Sequence, residues 1–389
     1  MRIAVDATCW HNRRGYGRHA RALLRALVRR DTVNQYTLFL DSSEEAEPTP
    51  EQCTVRVLRP SVPTVQAATA DGRRSLGDMW QMSRALSARE FDAVLFPTIY
   101  SYVPVLGRAR KLVMVHDVIA ETYPQLTVPR VSARLFWNAK VALGRMQADA
   151  LITVSDYSRS GIVQRFRTDP ARVFVVGEAA DPIFRKLDSP AATPKLRSLG
   201  IDGDGRTVVY LGGFSPHKNL QILVQAFARI AALQEFADVK LVMVGDTSGD
   251  AFHTYFGTIA AQVDALKLRD RVIFPGYLAD EDVVVLLNRA TVLALPSLME
   301  GFGLPAVEAA ACGCPVIATK ASPLERLLAG GGIFIEPCEA ELSNALEKVL
   351  SSEEMRSRMS EAGRAAARKL TWDAAADQML NVIGKVVVQ

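Results

Sequence analysis

Two carboxylates flank a glycine-containing loop in the segment Glu300-Gly-Phe-Gly-Leu-Pro-Ala-Val-Glu308. The apolar, β-branched run before this loop predicts a short buried strand. The proline that follows the two glycines suits the first turn of a helix over 304–312. Gly301 and Gly303 allow the backbone to approach a ligand, and the free N–H groups of a helix start attract phosphate. We therefore predict a site for an anionic ligand whose hydroxyls are bound by the two acids, in preference to a plain turn with two solvated acids.

A second candidate segment is Tyr210-Leu-Gly-Gly-Phe-Ser-Pro-His-Lys218-Asn, in which a predicted strand ends at Gly212 and Gly213. The loop that follows brings Lys218 to the start of a helix predicted over 219–229. An ammonium beside helix-terminal N–H groups suits a diphosphate, whose negative charge grows as it leaves a sugar. A third candidate is His116, which ends an apolar strand and is followed by an aspartate.

The Glu-x7-Glu spacing with Gly-Phe-Gly-Leu-Pro between the acids resembles the signature of the retaining, family-4 type glycosyltransferases of the GT-B fold. Other segments match that family in the same order over nearly the whole chain. The resemblance implies an α/β fold with two facing Rossmann-like, doubly wound domains built on parallel sheets. It also implies that the N-terminal domain holds the acceptor and the C-terminal domain holds a sugar nucleotide.

The resemblance further implies roles for individual residues. Lys218 would contact the donor phosphates, Glu300 and His116 the donor sugar, and Glu308 the ribose. The expected catalytic residues are therefore His116, Lys218 and Glu300. The expected nucleotide-binding residues are Gly15, Gly17, Gly212, Gly213, Tyr277, Leu278, Gly301, Phe302, Gly303, Leu304 and Glu308. One departure is Gly213, because many members carry an arginine there.

Apolar runs alternate with amphipathic segments along the chain, which predicts parallel sheets wound on both faces. The predicted strands cover residues 2–7, 36–40, 53–58, 93–97, 112–116, 150–154, 173–176, 207–211, 239–244, 272–274, 292–295, 316–318 and 333–335. A stretch rich in Pro, Asp and Gly over 177–206 predicts a hinge. We expect one domain over 1–182 and another over 183–370, with a last helix over 371–389 packing back on the first domain.

The composition is typical of a globular enzyme: 389 residues, 49% hydrophobic and 23% charged, with a net charge of +4. Five scattered cysteines, the missing signal-peptide pattern and the missing long apolar stretch predict a cytoplasmic protein without structural zinc. The charge does not predict nucleic-acid binding. Arginines recur along the helix predicted over 17–30, which indicates a solvated basic face or peripheral contact with anionic lipid at the inner membrane face.

A different class of enzyme matches part of the sequence. Gly15-Tyr-Gly17-Arg-His-Ala20 fits the dinucleotide pattern G-x-G-x-x-A, and Asp41 follows a predicted strand where a ribose-binding acid belongs, as in an NAD(P)-dependent oxidoreductase. The long segment before Gly15 argues against this alternative. Asp202-Gly-Asp204 matches the metal-binding D-x-D pattern, but it lies in the predicted hinge and is expected to be a turn.

We therefore predict a retaining glycosyltransferase that moves a hexose from a nucleotide-diphosphate sugar to an acceptor hydroxyl, with no cofactor and no bound metal. The acceptor would be a saccharide or a lipid-linked saccharide, in polysaccharide or glycoconjugate assembly. The Pro-His-Lys-Asn form of the Lys218 loop favours mannose from GDP-mannose as the donor.

Overall fold

A computed structural model describes residues 1–12, 15–42, 47–59, 75–202, 205–247 and 254–387. The chain divides into two compact units. Unit 1 comprises Met1–Glu178 together with Thr371–Gln389, and unit 2 comprises Ala179–Leu370. The boundary therefore falls after Glu178, inside the predicted hinge and slightly before the expected position after residue 182.

Unit 1 contains a seven-stranded sheet in the order β3-β2-β1-β4-β5-β6-β7, and its strand pairs are parallel. Strands β4 and β6 are buried throughout, which explains why they are continuous, mainly apolar runs. The strands are β1 (Arg2–Asp6), β2 (Gln35–Leu40), β3 (Thr54–Val57), β4 (Ala93–Phe96), β5 (Arg110–Met114), β6 (Ala150–Thr153) and β7 (Val173–Val175).

The helices of unit 1 connect these strands across both faces of the sheet, as a parallel sheet requires. Those before the hinge are α1 (Gly15–Arg30), α2 (Leu76–Leu86), α3 (Ile119–Thr122), α4 (Pro124–Thr127), α5 (Val131–Gln147) and α6 (Asp156–Phe166). Single 3-10 turns cover Ile99–Ser101 and Pro170–Arg172. Within the described residues, no helix is long and apolar enough to cross a membrane.

Unit 2 contains a six-stranded sheet in the order β10-β9-β8-β11-β12-β13, again with parallel pairs. Its strands are β8 (Thr207–Leu211), β9 (Lys240–Val244), β10 (Val272–Gly276), β11 (Val292–Leu295), β12 (Val316–Thr319) and β13 (Gly332–Ile335). Its helices are α7 (Pro194–Ser198), α8 (Leu220–Ala231), α9 (Phe256–Ala265), α10 (Asp280–Arg289), α11 (Leu304–Ala311), α12 (Leu324–Leu328), α13 (Glu339–Ser351) and α14 (Glu353–Ala367), and 3-10 turns cover Pro216–Lys218 and Gln234–Phe236. The two sheets confirm the predicted α/β class with doubly wound parallel topology.

The last helix, α15 (Trp372–Val387), belongs to unit 1 and packs against α1. Met379 and Ile383 are buried on its inner face. Asp377 accepts two hydrogen bonds from Arg30, at 2.6 and 2.9 Å, and Asp373 pairs with Arg29. Part of the α1 surface that the sequence indicated to be a solvated basic face is therefore occupied by acids from the end of the chain.

Two local expectations differ from the structure. Helix α1 begins at Gly15, two residues before the predicted start at Gly17, so both glycines lie in its first turn. A Cβ at Gly17 would lie 2.1 Å from the carbonyl oxygen of Asn12, so close backbone packing accounts for this glycine. Strand β5 covers Arg110–Met114, which leaves His116 just beyond the strand end.

Candidate functional site

The predicted site residues of unit 2 lie on loops, and in helix α11, at one edge of its sheet. Strands β8 and β11 are neighbours at the point where the strand order reverses, and ligands of open parallel sheets bind at the carboxyl ends of strands at such a point. Backbone hydrogen bonds tie these loops together. The amide of Leu298 donates to the carbonyl of His217 at 2.9 Å, and the amide of Glu300 donates to the carbonyl of Ala321 at 3.0 Å.

At this edge the structure brings Lys218 and Glu300 into direct contact. Lys218 Nζ donates to Glu300 Oε1 at 2.7 Å, and Ser297 Oγ donates to the same oxygen at 2.5 Å. Glu300 is 6% exposed and the Lys218 side chain 21% exposed, so one end of the pair is buried and the other reaches the surface. The sequence identified the lysine and the glutamate, but it missed Ser297.

Lys218 is held by a local turn directly before the predicted helix, which begins one residue later than expected. Lys218 ends the 3-10 turn Pro216–Lys218, and α8 begins only at Leu220. Asn219 adopts a left-handed conformation with φ 57°, and its side-chain amide donates to the carbonyls of Pro296 and Pro337 at 3.3 and 3.2 Å. Because Asn tolerates this conformation, the turn connects the loop after β8 to the loops after β11 and β13.

The charges at this site influence one another strongly. Burial raises the pKa of the Glu300 carboxyl, but the Lys218 charge and the hydrogen bonds from Lys218 and Ser297 outweigh burial and bring that pKa below its usual range. Burial, together with the Lys218 charge, lowers the pKa of His217 to about 3. At neutral pH the site therefore contains an ion pair beside a neutral imidazole.

The glycine loop has the shape that the sequence predicted. Gly303 has φ 85° and directly precedes α11, which begins at Leu304, and a Cβ at Gly303 would lie 2.7 Å from Leu324 Cδ1. Phe302 is buried beneath the loop, and Glu308 is buried within α11. The N-terminal N–H groups of this helix follow the Glu300 loop immediately, as an anion site requires.

Two further loops carry predicted nucleotide-binding residues. After β8, Gly212 has φ 152°, and Tyr210 Oη donates to the carbonyl of Gly213 at 2.6 Å. After β10, Tyr277 is 57% exposed while Leu278 is buried. Strand β9 lies between β8 and β10 in the sheet, and because all three strands are parallel, both loops lie at the same edge of the sheet.

In unit 1, His116 belongs to a cluster that the sequence only partly revealed. His19 Nδ1 lies 2.8 Å from Glu178 Oε1, with both side chains buried, and the rings of His19 and His116 meet edge to face at 4.9 Å. Burial and the neighbouring His19 hold the pKa of His116 well below its usual range. The ligand atoms of His19, His116 and Glu178 lie within 4.8 Å of one another, a donor set that could hold a transition metal.

His19 and Glu178 were missed because each lies far from His116 in the sequence. His19 lies four residues before Leu23, so both side chains are on the buried face of α1, where a polar residue is unusual. That position was the available signal. Glu178 lies in the hinge and carried no signal.

Comparison with known proteins identifies the class. The family model Glycosyltransferase Family 4 matches residues 13–182, and the model Glycosyl transferases group 1 matches residues 193–366. The crystal structure of Anabaena Alr3699/HepE in complex with UDP-glucose superposes with a TM-score of 0.75 at 19% identity, covering 99% of each chain, which shows the fold. The chain belongs to the group 1 glycosyltransferases of the GT-B fold.

Two curated relatives illustrate the range of the family. The D-inositol 3-phosphate glycosyltransferase of Stackebrandtia nassauensis is 32% identical over 249 residues, which cover 62% of this chain and 55% of that relative. The O-antigen chain mannosyltransferase B of Escherichia coli is 25% identical over 274 residues, covering 70% and 69% of the two chains. The match thus spans little more than half the length of the first relative. Neither supports the oxidoreductase alternative.

The D-x-D match at Asp202 extends into residues 203–204, which lie outside the described residues. None of the five cysteines forms a disulfide, and three of them are buried.

Proposed function

We propose that this chain is a retaining glycosyltransferase that moves a hexose from a nucleotide-diphosphate sugar to an acceptor hydroxyl. The proposal rests on the contact between Lys218 and Glu300, which lies where the strand order of the unit 2 sheet reverses, between β8 and β11. A cation beside a helix start suits a leaving diphosphate, and a buried, ionised carboxylate suits sugar hydroxyls. The structural likeness to a UDP-glucose complex and the family membership favour a nucleotide sugar as donor.

We assign the binding roles in unit 2 by chemistry. The backbone of residues 301–304 at the start of α11 and the backbone at Gly212 and Gly213 would receive the phosphates. Glu308 would accept hydrogen bonds from the ribose, and the base would lie against Tyr277 and Leu278. In unit 1, which we assign to the acceptor, Gly15, Gly17 and His116 stay predicted site residues, and the neutral state of His116 suits hydrogen bonding to a hydroxyl.

The reaction is proposed to proceed on one face of the sugar. The bond from the anomeric carbon to the phosphate oxygen breaks as the acceptor oxygen bonds to that carbon, and the leaving phosphate takes the acceptor's proton. No side chain of the sequence is an obvious covalent nucleophile. Lys218 and the N–H groups at the start of α11 would stabilise the charge that develops on the phosphate.

The donor sugar is proposed to be mannose from GDP-mannose. The Pro-His-Lys-Asn form of the Lys218 loop supports this choice, and so does the similarity to an O-antigen chain mannosyltransferase. Glucose from UDP-glucose is the second donor to test, because of the structural neighbour that holds it. The acceptor would be a saccharide or a lipid-linked saccharide in polysaccharide or glycoconjugate assembly.

The experiment is a screen of UDP- and GDP-sugars for donor hydrolysis, with the anomeric configuration of any transfer product determined by NMR. We expect one donor class to be hydrolysed and the α-configuration of its anomeric carbon to be kept. Hydrolysis of none of these donors, or an inverted product, would overturn the proposal.

Metal independence is tested on the same assay after exhaustive chelation. We expect activity to persist with EDTA, both in the native chain and in His19→Gln, which removes one donor of the His19, His116 and Glu178 cluster. Loss of activity that Mg²⁺ or Mn²⁺ restores would contradict the metal-free mechanism. Rescue of a chelated enzyme by Gly213→Arg would locate a missing charge at that loop.

A further inference from the structure

Helix α5 exposes its apolar side to solvent. Its large exposed residues are Val131, Leu135, Phe136, Leu143 and Met146, with exposures of 67, 66, 54, 39 and 79%. Its other exposed positions are Ser132, Asn138 and two alanines. On a helical wheel with 100° per residue, Val131 and Phe136 mark the two ends of a sector of about 140°. No charged side chain of α5 lies within that sector. A soluble surface helix ordinarily has the opposite arrangement.

The inner side of α5 is fixed by close packing, so the outward direction of this apolar face is well determined. Val141 is 3% exposed, and a Cβ at Gly144 would lie 2.7 Å from Ile99 Cδ1. Trp137 Nε1 donates to Glu121 at 2.8 Å, and Lys140 Nζ donates to the carbonyl of Tyr100 at 3.0 Å. Rotating the helix to bury the apolar face would break these contacts.

The apolar face continues beyond the helix. Gln147, the last residue of α5, accepts a hydrogen bond from the amide of Val105 at 3.1 Å, and the next residue, Leu106, is 57% exposed. The amide of Leu106 donates to Ser87 just after the end of α2, which fixes the position of Leu106 beside α5. Extended apolar surface of this kind marks an interaction site.

The margins of the face are basic. Arg130, Arg134, Lys140 and Arg145 lie on or beside α5, and the sequence has no acidic residue between Glu121 and Asp149. Two copies of this chain packed symmetrically through the face would bring these cations against one another. An anionic bilayer would accept both the apolar side chains and the cations, as it does for helices that lie in the membrane interface.

We propose that α5, with Leu106, is a docking surface for an anionic lipid bilayer. The helix would lie in the plane of the interface with Leu135, Phe136 and Met146 among the lipid chains. This surface is distinct from α1, whose Arg29 and Arg30 contact acids of α15. It goes beyond the proposed transfer reaction and does not depend on it.

The test is sedimentation of the full chain with phosphatidylcholine vesicles that contain or lack phosphatidylglycerol. We expect binding to the anionic vesicles that weakens as salt is raised. Phe136→Glu should lower the partition coefficient by at least about tenfold, because it places a charge where the exposed aromatic side chain would insert among the lipid chains. The matched control is Val33→Glu, at an exposed apolar site of the same unit with 79% exposure, which should bind normally.

Circular dichroism and turnover on a water-soluble acceptor check that Phe136→Glu is folded. Absence of binding to anionic vesicles at low salt would overturn the proposal, as would equal loss in Val33→Glu. A concentration-dependent dimer that Phe136→Glu converts to monomer, without vesicle binding, would assign the face to a second copy of the chain instead.

Discussion

The contact between Lys218 and Glu300 can be separated into a structural and a catalytic contribution with two variants. Lys218→Met removes the cation and leaves Glu300, which is 6% exposed, with the hydrogen bond from Ser297. Loss of one partner of a buried ion pair costs about 3–5 kcal/mol, and since Lys218 is 21% exposed we expect about 2–4 kcal/mol of unfolding free energy.

The pH dependence of this loss has a defined sign. Without Lys218, burial raises the folded-state pKa of Glu300 above its unfolded value. A group shifted in that direction contributes stability below its unfolded pKa and loses it as pH rises through the folded pKa. Lys218→Met should therefore be more destabilised at pH 8 than at pH 5, as measured by urea unfolding at the two pH values.

The double variant distinguishes the two contributions. Lys218→Met combined with Glu300→Gln removes both charges of this pair, so the double variant should recover most of the stability lost in Lys218→Met. Turnover should not recover, because the phosphate has lost its cation, an effect of about 2–4 kcal/mol or about 30- to 900-fold in rate. If the double variant regains both stability and turnover, or if Lys218→Met keeps native turnover, the pair is only structural and the assignment of the phosphate site is wrong.

Three further predictions concern the rest of the chain. His217 has a pKa of about 3 in the folded chain against 6.5 in the unfolded chain, so the free energy of unfolding should fall as pH drops below about 6.5, by up to about 1.4 kcal/mol per pH unit. His217→Asn should reduce this slope in urea titrations. Glu308→Ala should weaken nucleoside diphosphate binding by calorimetry, whereas Glu300→Gln should not; equal losses would contradict their separate roles. Met379→Ala should cost about 2–5 kcal/mol and Asp377→Asn far less, because the first is buried and the second pairs at the surface.

Inner strands such as β4 were predictable because a doubly wound sheet buries them on both faces, so that they are uninterrupted apolar runs. Strand β11, Val292–Leu295, was predicted to the residue for this reason. The Glu300 loop was predictable as well, since its two glycines and the helix start are local features. Gly303 has the left-handed φ that such a loop requires.

What the sequence could not predict depends on contacts between distant segments. The arginines of α1 gave no sign that Asp373 and Asp377 would pair with Arg29 and Arg30, more than 340 residues away. Ser297 and Glu178 could be recognised as site residues only from the side chains that they contact in the folded chain. The exposed face of α5 was hidden because the helix is apolar on both sides, so that periodicity does not indicate which side faces the core.

The ion pair also constrains how a diphosphate could be bound. Before the donor arrives, Glu300 neutralises Lys218 at 2.7 Å, so the pair offers little net charge. Gly213 supplies no second cation, and Tyr210 engages its carbonyl. Under the proposed function, most of the initial attraction would therefore come from the N–H groups at the start of α11. If Glu300 turned its hydrogen bonds toward sugar hydroxyls, as the proposed function requires, Lys218 would become available to the phosphate, and recognition of the sugar would be coupled to stabilisation of the leaving group.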